Sequence, residues 1–441
     1  MEMNNELLGI IMLVFLLGVI FVGFPISFTL IIVAVVFGYA AFGNMVFHLM
    51  VSQTFGFMQE EILAAVPLFI FMGYITEQAE LMERLFKAFR LLLAPLKGSL
   101  YLGVVLTATV FAMATGIVGA AVTVLGIMAA PVMIKCGYSP RLSAGAIAAG
   151  GTLGILIPPS VMLIVMGPVL GISVAKLYAA AFGPGFFLAS LYIFYLLFRC
   201  WLRPELGPPV PKEERITDKK VLVKEFVAGM IPLGVLISGT LGSILGGLAT
   251  PTEAASMGSA GALILALAYR QLNWERFRNA AIGTLQTSSM VIFLGVASNV
   301  FGAVFARLGS ADLMTKTLLA LPFSPFVMLL IIMVLIFLLG WPFEWPAIIY
   351  LFLPIFMPLV LALKFDLVWF GTLVAVNLQT AFLSPPVAMS AYYLKAVVPE
   401  WDLKTIYLGM ADFMVLQVIA LLAVMIFPEI ATWFPNWLFS N

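Results

Sequence analysis

The sequence is poor in charge and in cysteine, and each shortage excludes a class of protein. Only 10% of its 441 residues are charged, 63% are hydrophobic, and the net charge is +1. A soluble domain of this size could not cover so much apolar surface, and a near-neutral balance offers no basic surface to nucleic acid. The two cysteines, Cys136 and Cys200, lack the spacing of metal ligands and are interpreted as packing residues. The composition therefore predicts an all-α, polytopic membrane protein.

Catalytic signatures are missing as well. The chain has no phosphate-binding Gly-rich loop with lysine, no H-E-x-x-H and no G-x-S-x-G. Nothing therefore indicates an enzyme or an ATP-driven pump. A secondary transporter and a channel remain as alternatives. The type of internal repeat can distinguish them, because channels repeat filter motifs around a pore axis.

Basic residues are concentrated between the apolar segments, and the longest polar stretch is 199–224. Because loops rich in Lys and Arg stay in the cytoplasm, this stretch is predicted to be cytoplasmic and to join two halves of the chain. The same rule places both termini outside. Membrane spans are predicted at 7–23, 26–43, 62–79, 174–198, 226–247, 252–269, 280–305 and 405–433.

Proline positions reveal an internal repeat of the region that follows the first spans. A shift of 227 residues superimposes four proline pairs without a gap: Pro95 on Pro322, Pro131 on Pro358, Pro158 on Pro385, and Pro159 on Pro386. The first copy starts on the cytoplasmic side and the second starts outside. The halves therefore form an inverted-topology repeat, which is typical of secondary transporters and disfavours a channel.

Each half contains one apolar segment interrupted by helix breakers: GTLGILIPPSVM (151–162) and QTAFLSPPVAM (379–389). An unwound helix is tolerated at membrane depth where it is buried or lines a cavity. There its freed carbonyls can bind a cation, and the N-termini of the half-helices can face an anion. These breaks predict a binding site; the alternative is two proline kinks between packed helices. The candidate substrate-binding residues are Gly154, Pro158, Pro159, Ser160, Pro385 and Pro386.

The apolar segments before the breaks, 99–134 and 325–363, are too long for one span and predict two re-entrant hairpins. The tip of hairpin 1, ATGIVGAA, exposes backbone at Thr115, Gly116 and Gly119. The tip of hairpin 2, LGWPFEWPA, contains Gly340 and Glu344. An intramembrane carboxylate such as Glu344 is a candidate cation ligand or the electrostatic partner of one. The alternative for Glu344 is a wet vestibule near the outer face.

Two local patterns predict helix details. Residues 80–97 form an amphipathic helix that either links a moving domain to a fixed scaffold or serves as a plain interfacial anchor. Its apolar side is formed by Leu81, Leu85, Phe86, Phe89, Leu92 and Leu93. The motif TPTEAAS (250–256) predicts a capping box, with Thr250 as the N-cap and Glu253 as its partner.

These patterns divide the chain into six regions. They are scaffold spans with an amphipathic arm (1–98), hairpin 1 with broken helix 1 (99–170), a span and the joining loop (171–225), the second scaffold spans and arm (226–324), hairpin 2 with broken helix 2 (325–396), and a C-terminal span (397–441).

Three stretches resemble the large membrane subunit of TRAP transporters, the tripartite ATP-independent periplasmic systems. They are GYSPRLSAGAIAAGGTLGILIPPSVMLIVMG (137–167), GGLATPTEAA (246–255) and NLQTAFLSPPVAMSAYYLKAVVP (377–399), and the likeness spans nearly the whole chain. The resemblance implies an elevator-type fold like that of the ion transporter superfamily. It also implies two partners in the bacterial inner membrane system: a small four-helix membrane subunit and a periplasmic substrate-binding protein.

The resemblance further implies sodium-coupled uptake of a small organic acid anion, with two or more Na⁺ sites where hairpin tips meet the unwound helices. Carried over onto this sequence, the Na⁺ ligands lie around Thr115, Gly116, Gly119, Gly151 and Thr152 in one half, and around Gly340, Glu344, Thr380 and Ser384 in the other. The chain has Thr115-Gly-Ile-Val-Gly where many members have a serine-rich tip, Glu344 where many have Asp, and SPPVA where many have TPPVG. These differences resemble the mannitol/chloroaromatic branch, which includes carriers of 2-oxo acids and lactate. The alternative is a sodium/carboxylate symporter that needs no binding protein.

Overall fold

The computed structural model describes residues 5–209 and 218–440, and within these ranges all regular secondary structure is helical. Seven helices in the described ranges are long and apolar enough to cross a membrane. The prediction of an all-α polytopic membrane protein is therefore confirmed. Lys212 and Arg215 of the basic stretch lie outside the described residues.

The first half contains ten helices. They are α1 (Asn5–Phe21), α2 (Ile26–Phe42), α3 (Met45–Met58), α4 (Ala65–Gln78), α5 (Leu81–Leu93), α6 (Ser99–Thr115), α7 (Val118–Lys135), α8 (Pro140–Thr152), α9 (Val161–Leu170) and α10 (Val174–Leu202).

The second half continues the same order. Its helices are α11 (Lys219–Leu245), α12 (Pro251–Ala268), α13 (Trp274–Arg307), α14 (Ser310–Leu319), α15 (Pro325–Leu339), α16 (Trp345–Ala347), α17 (Leu353–Ala362), α18 (Leu367–Leu378), α19 (Thr380–Leu383), α20 (Met389–Val397), α21 (Leu403–Ile426) and α22 (Glu429–Leu438). A π-helical turn, Ile348–Phe352, joins α16 to α17.

The helix boundaries repeat with the 227-residue shift of the prolines. Adding 227 to the ends of α7 gives 345 and 362, which are the first residue of α16 and the last residue of α17. The first residue of α8, Pro140, corresponds in the same way to Leu367 at the start of α18. The repeat therefore extends from sequence to secondary structure.

One helix was not predicted from the sequence, and one predicted span was too long. Helix α3 was not predicted, because His48, Ser52 and Gln53 keep its apolar run below span length. The predicted final span 405–433 was too long, since α21 ends at Ile426 and α22 begins after Pro428. Proline cannot donate the backbone hydrogen bond that would continue α21.

The helices pack in two groups. Helix α4 packs on α12 and α13, and α13 also packs on α2 and α3, which together form the scaffold group. Helix α8 packs on α7 and α21, and α10 packs on α18 and α22. This second group contains the hairpins and broken helices and is named the transport group after the predicted elevator-type fold.

The amphipathic helix α5 packs between α11 and α6. Leu81, Leu85 and Phe86 are buried in this contact, as expected for its apolar side. Leu92 of the same apolar side is 49% exposed, so the neighbouring helices leave part of the last turn uncovered.

The predicted capping box is present at the start of α12. The Glu253 N–H donates to Thr250 Oγ1 over 3.2 Å, and the Thr250 N–H donates to Glu253 Oε2 over 2.8 Å.

Candidate functional site

The tip of hairpin 1 is a tight turn between α6 and α7. Gly116 follows the last residue of α6 with a φ of 61°, a left-handed conformation that glycine adopts without steric cost. Ile117 is extended, and no side chain caps the start of α7 at Val118. Because the first N–H groups of a helix have no intrahelical acceptor, this tip presents backbone donors.

The first break separates α8 from α9. After Thr152 the chain forms one 3-10 turn (Leu153–Ile155) and then runs through Pro158 and Pro159 to Ser160, the residue before α9. All residues from 151 to 160 are buried. Ser160 Oγ donates to the carbonyl of Ile155, and Tyr178 Oη donates to the carbonyl of Ser160 over 3.4 Å. The unwound backbone is therefore enclosed by protein and partly satisfied by side chains.

Tip 1 lies directly against break 1. A Cβ added to Gly116 would be 3.6 Å from the carbonyl oxygen of Pro159, and one added to Gly154 would be 3.9 Å from the carbonyl carbon of Gly116. Gly151 packs against α7, where an added Cβ would be 3.0 Å from Val122 N. The structure thus brings the predicted residues of the first half together.

Gly119 is the exception. It faces the ring of Tyr393, whose nearest carbon would be 3.1 Å from an added Cβ. Gly119 therefore lies beside α20 of the other half and not beside break 1.

The second hairpin and the second break meet in the same way. An added Cβ at Gly340 would be 2.8 Å from Cβ of Ala381, so the tip of hairpin 2 touches the helix turn before break 2. Break 2 is more open than break 1, because Pro385 and Pro386 are exposed. Each Pro–Pro bond, 158–159 and 385–386, is cis.

The candidate threonines keep oxygen lone pairs available. Thr115 Oγ1 donates to Phe111 O over 3.3 Å, Thr152 Oγ1 to Ala149 O over 2.8 Å, and Thr380 Oγ1 to Asn377 O over 2.6 Å. Each hydroxyl proton is thus directed at the backbone, and each oxygen can still accept.

Two buried oxygen atoms without hydrogen-bond partners lie at break 2 and in the helix before it. Ser384 Oγ and Asn377 Oδ1 are buried and have no hydrogen-bond partner. Ser384 is 1% exposed and lies one turn after Thr380, whose carbonyl accepts from the Ser384 N–H over 2.9 Å. Such oxygen atoms suit a hard cation, so this region fits Na⁺ as a cargo ion. Within residues 5–209 and 218–440 no cluster of His, Cys, Asp and Glu offers a transition-metal site.

Glu344 stands apart from these ligand candidates. It precedes α16 as an N-cap residue without a side-chain cap bond, and its side chain is exposed. Glu344 faces two cavities, one shared with scaffold residues and one beside the turn between α1 and α2. Its carboxylate lies near Tyr393.

A buried glutamine that no sequence pattern indicated connects the two breaks. Gln417 in α21 donates from Nε2 to Thr152 Oγ1 over 3.3 Å and to Gln379 Oε1 over 3.5 Å. Thr152 and Gln379 are equivalent under the 227-residue shift, so Gln417 lies where the two repeats meet. All three side chains are buried.

One cavity of about 490 Å³ joins the two groups of helices. Its transport-group wall includes the tip of hairpin 1, Glu344, and Phe382 before break 2. Its scaffold wall includes Tyr74 and Glu77 of α4 and Thr287 of α13, where Tyr74 Oη lies 3.0 Å from Thr287 Oγ1. These scaffold residues were not predicted, since only packing between distant helices brings them to the cavity.

The scaffold touches tip 1 at a glycine. A Cβ added to Gly73 of α4 would be 2.8 Å from the carbonyl oxygen of Thr115 and 3.0 Å from its Cα. Helix α4 therefore approaches the hairpin tip as closely as the backbones allow.

Residues 13–430 match the family model described as "Tripartite ATP-independent periplasmic transporter, DctM component". The chain is 29% identical over 421 residues to the sialic acid TRAP transporter large permease SiaM of Vibrio cholerae, covering 95% of this chain and 96% of that protein. It is 27% identical to the C4-dicarboxylate TRAP large permease DctM of Pseudomonas aeruginosa, covering 85% and 86%. It is 29% identical to the 2,3-diketo-L-gulonate TRAP large permease YiaN of Escherichia coli, covering 84% and 86%.

Two solved structures share the fold. The YdaH transporter of Alcanivorax borkumensis superimposes with a TM-score of 0.60 at 16% identity, covering 88% of this chain and 89% of that one. MtrF of Neisseria gonorrhoeae superimposes with a TM-score of 0.57 at 14% identity, covering 90% and 85%.

Proposed function

Because this chain belongs to the family of DctM components of tripartite ATP-independent periplasmic transporters, we propose that it imports a small organic acid anion together with Na⁺. It is a multi-span membrane transporter and not an enzyme. The proposed location is the bacterial inner membrane, and the proposed substrates are 2-oxo acids, lactate or similar carboxylates.

The contact of each hairpin tip with its own broken helix carries this proposal. Gly116 lies beside Pro159 in one half, and Gly340 lies beside Ala381 in the other. Gly116 lines the larger cavity, and Gly340 and Ala381 line the smaller one. Two such junctions in one transport group support a carrier with two cation sites and one substrate site.

The position of the cavities supports an elevator mechanism with an inward-facing state. The positive-inside rule assigns the turn between α1 and α2 and the end of α4 to the cytoplasmic side. Phe21 and Ile26 of that turn line the smaller cavity with Glu344, and Glu77 near the end of α4 lines the larger one. In an elevator cycle the transport group would carry both tips and both breaks towards the other side.

Electrical work favours coupling to more than one sodium ion. Moving one charge against a potential that is negative inside costs about 2.3 kcal/mol per 100 mV. One Na⁺ would only cancel the charge of a monovalent anion, whereas two would make the step electrically favourable. A measured stoichiometry of one would contradict the proposal of two coupled sites.

Two partners complete the proposed transporter. Helix α11 exposes most of its surface, since only 17% of its most apolar 18-residue stretch is buried. This uncovered apolar face is available to lipid and to a small membrane subunit. A periplasmic binding protein would deliver the substrate to the outer face.

Uptake into proteoliposomes containing this chain and its small subunit tests the proposal. We expect labelled 2-oxo acid to accumulate only with an inward Na⁺ gradient and the binding protein. Na⁺-dependent uptake without the binding protein would keep the symporter and remove the third partner. Flux that neither saturates nor responds to Na⁺ would overturn the proposal in favour of a channel.

A further inference from the structure

The cavity between scaffold and hairpin tips contains two acidic side chains and no basic one. Its charged lining residues are Glu77 and Glu344, and no Lys, Arg or His is among the residues that line it. An anion that enters this cavity therefore meets no side-chain counter-charge of the kind that usually binds a carboxylate.

Most of the wall is apolar. It is formed by aliphatic, methionine and aromatic side chains, including Ile70, Val161, Met290, Val291, Phe382 and Met389. Apolar surface of a ligand is stabilised against such a wall, whereas a charged or hydroxyl group would lose its water there without a new partner.

Neutral polar groups are few and partly occupied. The side-chain hydroxyls on the wall belong to Tyr74, Thr123, Thr287 and Tyr393. Tyr74 and Thr287 already lie within hydrogen-bond distance of each other. A ligand with many hydroxyl groups would leave most of them unpaired, which costs affinity.

The positive features on the wall are starts of helices. Val118 of α7, Val161 of α9 and Met389 of α20 each begin a helix and line the cavity, and these starts have no side-chain cap. Each helix start carries only a partial positive charge, so together with the proposed cation sites they can balance one carboxylate. A second carboxylate would have to be balanced beside the two acidic side chains, Glu77 and Glu344, with no Lys or Arg on the wall.

We propose that the cavity takes a monocarboxylate with an apolar body, in preference to a dicarboxylate or a polyhydroxylated acid. This inference rests on the proposed function and names the chemical class of its substrate. It distinguishes this chain from its relatives whose names refer to sialic acid and C4-dicarboxylates.

Three six-carbon acids test the proposal because they differ only in the relevant groups. Hexanoate has one carboxylate and an apolar chain, adipate has two carboxylates, and gluconate has one carboxylate and five hydroxyls. Binding to the chain with its small subunit in lipid nanodiscs would be measured by calorimetry in Na⁺ and in choline. We expect hexanoate to bind at least about tenfold more tightly than adipate or gluconate, because the latter two must bury unpaired polar groups.

Two substitutions separate wall chemistry from folding. Phe382→Ala removes a large apolar group and should weaken hexanoate binding about fivefold while changing gluconate binding little. The matched control is Phe194→Ala, since Phe194 is 69% exposed on α10 and far from the cavity lining. Glu77→Gln replaces an acidic side chain with a neutral one and should improve adipate binding more than hexanoate binding.

Adipate or gluconate binding as tightly as hexanoate would overturn the substrate class. If Glu77→Gln improves hexanoate binding more than adipate binding, the substrate class is also overturned. Uptake that is Na⁺-dependent but selective for adipate would preserve the proposed function and reject only the substrate class. Tight hexanoate binding without Na⁺-coupled uptake would reject the proposed function and preserve the class.

Discussion

The two halves of the chain build the same unit but place it in different surroundings. Break 1 is buried along its whole length, from 151 to 160, whereas Pro385 and Pro386 of break 2 are exposed. Tip 1 contacts Gly73 of the scaffold and lines one cavity, whereas Glu344 at tip 2 lines two cavities. The two copies of the repeat therefore differ in their exposure.

The scaffold helices of the two halves also differ. Adding 227 to Gly73 gives 300, and that position is Val300 in α13. The second half also runs through one continuous 34-residue helix, α13, where the first half has α3, a short turn and α4. Helix α4 contacts tip 1 at Gly73, whereas α13 contacts hairpin 2 at Gly295, where an added Cβ would be 2.9 Å from the Tyr350 ring.

Thiol labelling would sharpen this comparison most strongly. Ser160 and Val387 are equivalent under the 227-residue shift, but Ser160 is buried and Val387 is partly exposed. With Cys136 and Cys200 replaced by alanine, Val387→Cys should react with a permeant maleimide at least about a hundredfold faster than Ser160→Cys, because a buried thiol reacts only after local opening. Mass spectrometry of timed samples gives both rates. Equal rates would show that the two breaks are not closed and open in the membrane.

Enlarging Gly73 should have the next largest effect. The added methyl of Gly73→Ala would be 2.8 Å from the Thr115 carbonyl, so α4 and tip 1 must separate. We expect uptake to fall about tenfold, as for other overpacked contacts. Gly56→Ala is the control, because its added Cβ would meet nothing within 4 Å. Unchanged uptake in Gly73→Ala would show that this contact is not needed in the cycle.

Removing the Ser384 hydroxyl should change sodium affinity without changing stability. Ser384 is in register with Ile157, so only the second break carries a hydroxyl at this position. Because Ser384 Oγ has no hydrogen-bond partner, Ser384→Ala loses no hydrogen bond within the protein. The Na⁺ concentration for half-maximal uptake should rise about fivefold, the effect of one lost ligand oxygen.

Ser390→Ala provides the control for that experiment. Ser390 Oγ is also buried and without a partner, but Ser390 is outside the predicted ligand set. The control should leave both the Na⁺ dependence and the melting temperature unchanged. An equal shift in both variants would remove Ser384 from the cation site.

The smallest expected effect concerns cooperation between the halves. Gln417 contacts Thr152 and Gln379, one from each break. If these contacts link the two cation sites, Gln417→Leu should lower the Hill coefficient for Na⁺ from about two towards about one. Tyr350→Phe is the control, since the Tyr350 hydroxyl is buried without a hydrogen-bond partner and Tyr350 is outside the predicted ligand set. An unchanged Hill coefficient in Gln417→Leu would show that the sites act independently.

The sequence by itself determined the elements and their order. Proline and glycine act on the backbone locally, so the Pro158 and Pro385 breaks, the turn at Gly116 and the cap at Thr250 were predictable one by one. The proline register also indicated that the halves repeat. Helix α3 was not predicted because its polar residues interrupt the apolar pattern. Its counterpart in the second half is part of the continuous helix α13.

Only the tertiary structure decided which break is closed and what faces the cavity. Tyr74, Glu77 and Thr287 come from helices far apart in the chain, and Gln417 reaches Thr152 across 265 positions. Such neighbours depend on how whole helices pack, and no local backbone preference encodes them. The same holds for the difference between the halves: the shared register predicted two equivalent breaks, and helix packing buried the first break while leaving Pro385 and Pro386 of the second exposed.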